Sequence, residues 1–283
     1  MFEHFLITRF NLKNPNWVLT KHKQAILDEK WMEERMILFE NYCLSSVANQ
    51  SNTNFKWLLF FDTTTSDFYK NKIAELLKKH TRFIPIYIDG MALFHDSLLN
   101  YVRENTNEKP YLITSMIDND DCIHKEYINE VQRQFDSQDF LAIDFINGYT
   151  IQIEPEIILS KKDHIFNPFI SLIEKNSNPK TVWHYDHNIW KKEPRIKSVY
   201  GKRVWMSVIH GKNKVNGFDG YGNVDWQNLK NEFIVSESVS EKIAHESIPF
   251  KKWWLKSLRN YFGVKRVLIS KVIKRSLGIY KLK

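Results

Sequence analysis

The chain has 283 residues, of which 43% are hydrophobic and 26% charged, a composition typical of a globular protein with a large core. No apolar run reaches the roughly 18 residues of a spanning helix, and Glu3 and His4 stand where a signal peptide is basic and apolar. Two cysteines, Cys43 and Cys122, predict no disulfide framework. We therefore expect a protein of a reducing compartment, the cytoplasm.

The net charge of +8 is concentrated at one end of the chain. Residues 251–283 contain eleven lysines and arginines and no acidic residue, which leaves −3 for the first 250 residues. A nucleic-acid enzyme usually carries its basic residues along the catalytic groove. The distribution therefore argues against nucleic acid as the partner of the main body.

The first 145 residues alternate between predicted strands and helices. Apolar runs predict strands, and helical periodicity with capping residues predicts helices. The predicted strands are 4–10, 55–62, 82–88, 110–117 and 139–145, and the predicted helices are 21–50, 65–80, 92–105 and 124–135. This order is typical of an α/β fold with a mostly parallel sheet, whose ligands bind beyond the carboxyl ends of the strands.

Beyond Gly148 the pattern changes. The segment 149–159, YTIQIEPEIIL, predicts antiparallel strands after a hairpin turn. The segments 181–190 and 203–213 are rich in aromatic residues and histidine and match no single pattern.

Three carboxylates, Asp118, Asp120 and Asp121, follow the strand 110–117 within four positions. Oxygen ligands on one turn suit a hard cation such as Mg²⁺ or Mn²⁺. The alternative is a solvated acidic turn in which Asp121 caps the helix beginning near His124. The spacing alone leaves both interpretations open.

The blocks HFLITRFN at the start, 35–62, 115–123 and RVWMSVIHGKN (203–213) together resemble a nucleotide-diphospho-sugar glycosyltransferase of the GT-A type. In detail they are similar to the bacterial rhamnosyltransferase family. The resemblance implies a GT-A (Rossmann-like) fold over residues 1–248, with a nucleotide-sugar-binding half, 1–145, and an acceptor-side half, 146–248. Residues 249–283 would form a separate C-terminal tail.

The resemblance also implies roles for individual acids. Asp118 would contact the ribose and Asp120 or Asp121 would bind the metal, although DND and NDD leave the register ambiguous. Asp62 would contact the nucleobase, unless it only closes a turn. Arg9 would face a phosphate, with a surface ion pair as the alternative.

In the second half, His210 is the candidate third metal ligand, and a structural histidine beside Gly211 is the alternative. Asp186 is the candidate base that deprotonates the acceptor, with His184 and His187 as further candidates. A polar loop is the alternative for each of the three. Three tryptophans could stack on a sugar or belong to the core: Trp183, Trp190 and Trp205.

The tail interleaves apolar and basic residues. On a helix, Trp254, Leu258, Tyr261 and Phe262 would share one face, and a second apolar stripe would follow a break near Gly263: Val264, Val267, Leu268 and Val272. This pattern favours binding at an anionic membrane surface. A helix packed on the body and an RNA-binding arm are the alternatives.

The sequence thus predicts an inverting glycosyltransferase that uses Mn²⁺ or Mg²⁺ and a dTDP- or UDP-sugar. Its acceptor would be a bacterial surface glycan or a lipid-linked oligosaccharide at the inner face of the plasma membrane. Two other hypotheses stay open: a non-catalytic membrane or nucleic-acid binding protein, and a glycosyltransferase-like fold without activity. The sequence does not identify the sugar.

Overall fold

A computed structural model describes residues 1–14, 28–106, 108–186, 189–211 and 217–281. Its nine described strands form one sheet in the order β3-β2-β1-β4-β8-β6-β9-β5, with β7 paired to β6. The strands are β1 (Phe2–Arg9), β2 (Lys56–Asp62), β3 (Phe83–Ile88), β4 (Tyr111–Met116), β5 (Cys122–Ile123), β6 (Phe140–Gln152), β7 (Ile158–Asp163), β8 (Ser171–Lys175) and β9 (Ile196–Ile209).

Strands β1 to β4 are parallel to one another, as the strand–helix alternation predicts. Strand β8 runs antiparallel to β4, and β6 runs antiparallel to β8 and β7 but parallel to β9. The sheet is therefore parallel where the chain alternates and mixed beyond it. The boundary at residue 145 stays a prediction, although β6 and β9 continue the same sheet.

The helices are α1 (Glu29–Leu38), α2 (Ser45–Ala48), α3 (Asp67–Leu77), α4 (Phe94–Asn105), α5 (Tyr127–Gln132), α6 (Glu237–Glu246) and α7 (Trp254–Ser276). A π-helical segment, Phe39–Leu44, joins α1 to α2. One core packs α1, α3 and α5 on one face of the sheet, and a second core packs α4 on the other face. The result is the three-layer arrangement expected for an α/β fold.

Strand β6 corrects the expectation that a hairpin turn near Gly148 precedes the segment 149–159. The strand continues through Gly148 to Gln152, and the chain turns between Gln152 and Ile158 before the antiparallel β7. Gly148 is required because the Trp205 indole packs on it, at 2.2 Å from where a Cβ atom would stand. A glycine that looks like a strand breaker is thus a contact point inside a long strand.

The tail corrects a second expectation. Helix α7 is continuous through Gly263, so no break separates the two predicted apolar stripes. Val264 is buried and Leu268 packs against the second core, whereas Trp254 and Phe262 face solvent. The tail therefore packs on the body with one side. Within the described residues, the helices are too short or too polar to cross a bilayer.

Candidate active site

The cleft lies where β1, β2 and β4 end side by side, because parallel neighbours bring their carboxyl ends to one edge. Arg9 closes β1, Asp62 closes β2, and Asp118 follows β4. Burying the apolar residues of these strands on both faces leaves only the strand ends free for polar side chains. The predicted donor-side residues are thus brought to one edge of the sheet.

Asp120 lies at the centre of a buried polar cluster. Its Oδ2 atom accepts a hydrogen bond from Arg35 of α1 and lies 2.9 Å from Nε2 of His210, directly after β9. Burial alone would raise the pKa of Asp120, but the Arg35 charge and the His210 hydrogen bond lower it to about 2. Asp120 is therefore ionised at neutral pH. His210, the candidate third metal ligand, thus lies beside the acidic turn, and its role as a ligand stays a prediction.

Arg35 is a site residue that the sequence analysis missed. Besides Asp120, its guanidinium donates to Oδ1 of Asn119 (3.2 Å), and the Asn119 amide donates to the Phe10 carbonyl (3.0 Å). The Cys43 thiol, in the π-helical segment, contacts the Asp118 carbonyl at 3.4 Å. These contacts fix the acidic turn against β1 and the helix above it. The only sequence feature that points to Arg35 is the cluster of three carboxylates, because buried carboxylates need a cation nearby.

Asp121 differs from Asp120 in what it contacts. Its Oδ1 atom accepts the Val208 backbone amide at 2.9 Å, so it anchors the end of β9. Burial and the two neighbouring carboxylates raise the pKa of Asp121. It does not cap a helix, because α5 begins at Tyr127 after Glu126.

Asp118, which follows β4, is exposed, whereas Asp120 and Asp121 are buried. Partial desolvation and the neighbouring Asp120 raise the pKa of Asp118 to about 6, against the opposing effect of Arg9 and Arg35. Because water reaches this carboxylate, it stays mostly ionised at neutral pH. It is the acid of the turn that a ligand in the cleft reaches first.

Arg9 connects the two halves of the cleft. Its Cζ atom lies 3.8 Å from the Trp183 ring centroid, a stacked cation–π geometry, and its Nη1 contacts Sδ of Met91 at 3.7 Å. Burial lowers the pKa of Arg9, whereas the Asp118 and Asp186 carboxylates oppose this. Asp186 is thus close enough to act on the same guanidinium as Asp118. Both carboxylates therefore lie within electrostatic range of the Arg9 guanidinium.

The other predicted acceptor-side residues have separate positions. His184 is exposed beside Tyr185, and desolvation together with Lys180 lowers its pKa. His187 lies outside the described residues. Trp190 and Trp205 are fully buried, and their indole N–H groups donate to the carbonyls of Val182 and Phe145 respectively. They are core residues, and Trp183 stacks on Arg9 inside the protein.

Asp62 is buried at the wall of a pocket of about 240 Å³. Its carboxylate accepts the Lys13 amide (3.0 Å) and both the amide and hydroxyl of Thr64 (3.0 and 2.6 Å). Burial alone would raise the pKa of Asp62, but the hydrogen bonds from Thr64 and Lys13 outweigh it, so the pKa lies below its usual value. The carboxylate therefore shapes the loops around the pocket. The lining includes Asn11, Asp28, Met32, Thr65, Ser66 and Tyr69.

The donor atoms of the cluster determine whether it suits a divalent metal. In the part of the chain that the structure describes, no three His, Cys, Asp or Glu side chains form a ready ligand set. Asp120 and His210 offer one oxygen and one nitrogen, a donor pair that suits Mn²⁺ better than Mg²⁺. Ions of this kind often take one or two protein ligands and complete their shell with water and substrate phosphates. The two residues fit such a site.

A family of known proteins matches most of the chain. The profile of a family described as "Putative rhamnosyl transferase" matches residues 3–219. Among curated proteins, none matches the chain.

Solved structures to which the chain shows some similarity share little sequence with it. Residues 1–349 of S. aureus TarS are 12% identical, with a TM-score of 0.42, over 94% of this chain and 73% of TarS. The same protein with UDP-GlcNAc is 12% identical over 86% of this chain and 70% of that one, again with a TM-score of 0.42. A Desulfovibrio desulfuricans protein described as a "putative nucleotide-diphospho-sugar transferase" is 9% identical, with a TM-score of 0.37, over 74% of this chain and 83% of that one.

Because the family profile covers most of its length, the chain belongs to the rhamnosyl transferase family. It is a glycosyltransferase with an α/β fold.

Proposed function

We propose that this member of the rhamnosyl transferase family transfers a sugar, with inversion, from a nucleoside-diphosphate donor to a hydroxyl group of a bacterial glycan. The observation that carries the proposal is the Asp120 carboxylate, held between Arg35 and His210 at the edge where β1, β2 and β4 end. A buried, ionised carboxylate at this edge is suited to a metal–diphosphate group. We expect a dTDP- or UDP-sugar as the donor.

The donor would lie along the strand ends. Asp120 and His210 would hold Mn²⁺ or Mg²⁺, with Asp121 behind them, and the bound ion would neutralise charge on the diphosphate as it leaves. The exposed Asp118 carboxylate would accept hydrogen bonds from the ribose hydroxyls. The pocket of about 240 Å³ beside Asp62 would take the nucleobase.

The transfer itself requires a cation at the leaving group and a base at the acceptor. Arg9, fixed by its stack on Trp183, would stabilise the negative charge that develops on the departing phosphate oxygen. Asp186 would take the proton of the acceptor hydroxyl. The acceptor oxygen would then bond to the sugar C1 while the bond between C1 and the diphosphate oxygen breaks. Attack from the face opposite the leaving group inverts C1.

The acceptor and the cellular location are part of the same proposal. The acid-free tail supports a location at the inner face of the plasma membrane, where anionic lipids attract basic helices. A lipid-linked oligosaccharide is an acceptor that such a surface presents. A hydroxyl of a surface glycan is the chemical group the reaction needs.

The Asp120→Asn variant tests the proposal. It keeps the side-chain shape and removes the charge, so Mn²⁺-dependent binding of UDP or dTDP, measured calorimetrically, should weaken by about 100-fold. Asp67→Asn is the matched control, because the Asp67 side chain is 94% exposed at the start of α3. Equal Mn²⁺-dependent affinity of wild type and Asp120→Asn would contradict the metal role.

A further inference from the structure

Helix α7 has one side that is fixed to the body. Its residues at spacings of three and four share this side and face the segment 220–222, the loop after β7 and the start of β9: Ser257, Asn260, Val264, Leu268, Lys271 and Arg275. The side chains make specific hydrogen bonds, such as Asn260 to the Gly220 carbonyl (2.9 Å) and Lys271 to the Ile165 carbonyl (3.2 Å). The helix is therefore part of the folded body.

A buried ion cluster strengthens this attachment. Asp163, at the end of β7, accepts hydrogen bonds from Lys265 of α7 (2.6 Å), Tyr221 (2.7 Å) and Asn147 (2.7 Å), and it pairs with Arg203 (3.3 Å). The Asp163 side chain is 1% exposed. Three cationic side chains of the helix, at 265, 271 and 275, thus serve the attachment to the body.

The opposite side of α7 is apolar and open. Of the 17 large apolar side chains exposed in the described residues, 11 lie between Trp254 and Ile279. Leu255, Phe262, Ile269 and Ile273 follow helical spacing on one side and are 63%, 63%, 57% and 50% exposed. A stripe of this size on an otherwise ordinary surface marks an interaction site.

Positive charge surrounds this stripe. Lys251, Lys252, Arg259, Arg266 and Lys274 are exposed, and the segment has no acidic residue to neutralise them. Between α7 and the turn Ile279–Lys281 lies a shallow open groove of about 690 Å³, lined by Phe262, Ile269, Ile273 and Ile279 together with Arg266 and Lys274. Acyl chains would pack on the apolar side chains of this groove, and phosphate groups would pair with its cations.

We propose that the outward side of α7 binds the surface of an anionic phospholipid bilayer, with the helix axis in the membrane plane. The apolar stripe enters the boundary between headgroups and acyl chains, and the surrounding cations contact lipid phosphates. Because its other side is fixed to β7 and β9, the helix carries the catalytic body with it as one rigid unit. This inference deepens the proposed function, on whose membrane location it rests.

The charge distribution distinguishes a bilayer from other partners. Two copies packed stripe to stripe would bring two acid-free cationic helices together, and like charges repel. The cations would bind RNA phosphates, but a phosphate backbone makes no contacts that need exposed leucine, phenylalanine and isoleucine along one stripe. An anionic bilayer satisfies both features at once.

Vesicle binding by the full chain tests the inference. Wild type should sediment with phosphatidylglycerol-containing vesicles, bind phosphatidylcholine vesicles at least 10-fold more weakly, and dissociate as salt is raised. The triple variant Leu255→Ser, Phe262→Ser, Ile269→Ser should bind anionic vesicles at least 10-fold more weakly. The control triple variant Ile37→Ser, Phe68→Ser, Tyr200→Ser removes similar exposed side chains elsewhere and should bind like wild type.

Three results would overturn the inference. The first is undiminished vesicle binding by the α7 triple variant. The second is a dimer in solution that this variant abolishes, in a wild type that does not bind vesicles. The third is RNA binding that depends on the cations alone. Donor hydrolysis measured without vesicles keeps the two proposals apart. The α7 variant should hydrolyse donor at the wild-type rate, and absent hydrolysis in a vesicle-binding wild type would count only against the proposed reaction.

A spin label tests the rigid attachment. A label at Ile269→Cys should be immobilised to the same degree as the body before vesicles are added, since Cys43 and Cys122 are buried and take no label. Adding Asp163→Asn should increase the mobility of the label. A label that is already fully mobile in the otherwise wild-type chain would overturn the rigid unit.

Discussion

The cleft and helix α7 place charged and apolar side chains in opposite environments. In the cleft, charged side chains are buried and held by named partners, as Asp120 is by Arg35 and His210. On the outward side of α7, apolar side chains are exposed and the cations around them point to solvent. Burying charge is costly unless it is paired, and exposing large apolar surface is costly unless something covers it. The first region has its partners within the chain, and the second implies a partner outside it.

Among these predictions, replacing Arg35 in the cleft should have the largest effect on stability. Arg35→Met leaves the buried Asp120 carboxylate with His210 alone, so the free energy of unfolding should fall by about 3 kcal/mol. Urea unfolding measures the loss. The control Arg259→Met removes an exposed cation of α7 and should change stability by less than about 0.5 kcal/mol. Equal effects of the two variants would contradict the contrast.

Replacing Arg9 tests the cation that lies within electrostatic range of Asp118 and Asp186, the proposed donor and acceptor acids. Arg9→Met should lower the rate of donor hydrolysis and transfer by about 100-fold, because one preformed electrostatic contact to the leaving group is lost. Arg9→Lys should restore only part of the rate, since a lysine lacks the planar group that stacks on Trp183. A full rate in Arg9→Met would remove Arg9 from the reaction.

The polar interior beneath the cleft predicts a pH dependence. His4 is buried between Ser115 (2.9 Å) and Gln132 (3.2 Å), and desolvation lowers its pKa to about 3 from 6.5. The unfolded chain therefore binds a proton below pH 6.5 that the folded protein does not. Stability should fall by up to about 1.4 kcal/mol for each pH unit between 6.5 and 3 from this group.

His4→Asn should remove that part of the slope when unfolding is measured at pH 7, 6 and 5. His245→Asn, at an exposed position of α6, is the control and should leave the slope unchanged. An unchanged slope in His4→Asn would show that His4 takes up its proton in the folded state.

The smallest expected effect belongs to the outward side of α7. The triple variant Leu255→Ser, Phe262→Ser, Ile269→Ser should change the free energy of unfolding by less than about 0.5 kcal/mol per residue, because these side chains contact little of the body. Circular dichroism melting measures it. A large destabilisation would mean that the stripe serves the fold, and the contrast with the cleft would disappear.

Most of the sheet could be predicted, because buried parallel strands produce apolar runs and helices produce regular spacing. The position of the acids at the ends of β2 and β4 followed from the same rule. Two glycines led to wrong predictions, and the physical reason differs between them. Gly148 and Gly263 look like breaks, but the Trp205 contact requires the first, and the attachment of α7 on both sides of Gly263 offsets a cost of about 1 kcal/mol.

The division of labour within the site could not be predicted. Asp118, Asp120 and Asp121 are near neighbours in sequence, and only folding determines that one is exposed, one pairs with Arg35 and one accepts the Val208 amide. Arg35 lies 85 positions before Asp120 on a helix with several other charged residues. Long-range pairing of this kind leaves no periodic trace in a single sequence.

A structure determined with Mn²⁺ and a nucleoside-diphosphate sugar tests the central claim most directly. The account predicts metal density bound by Asp120 and His210 and by the diphosphate, with Asp118 beside the ribose. A donor bound in the cleft while Asp120 remains paired with Arg35, and metal density lies elsewhere or nowhere, would contradict it.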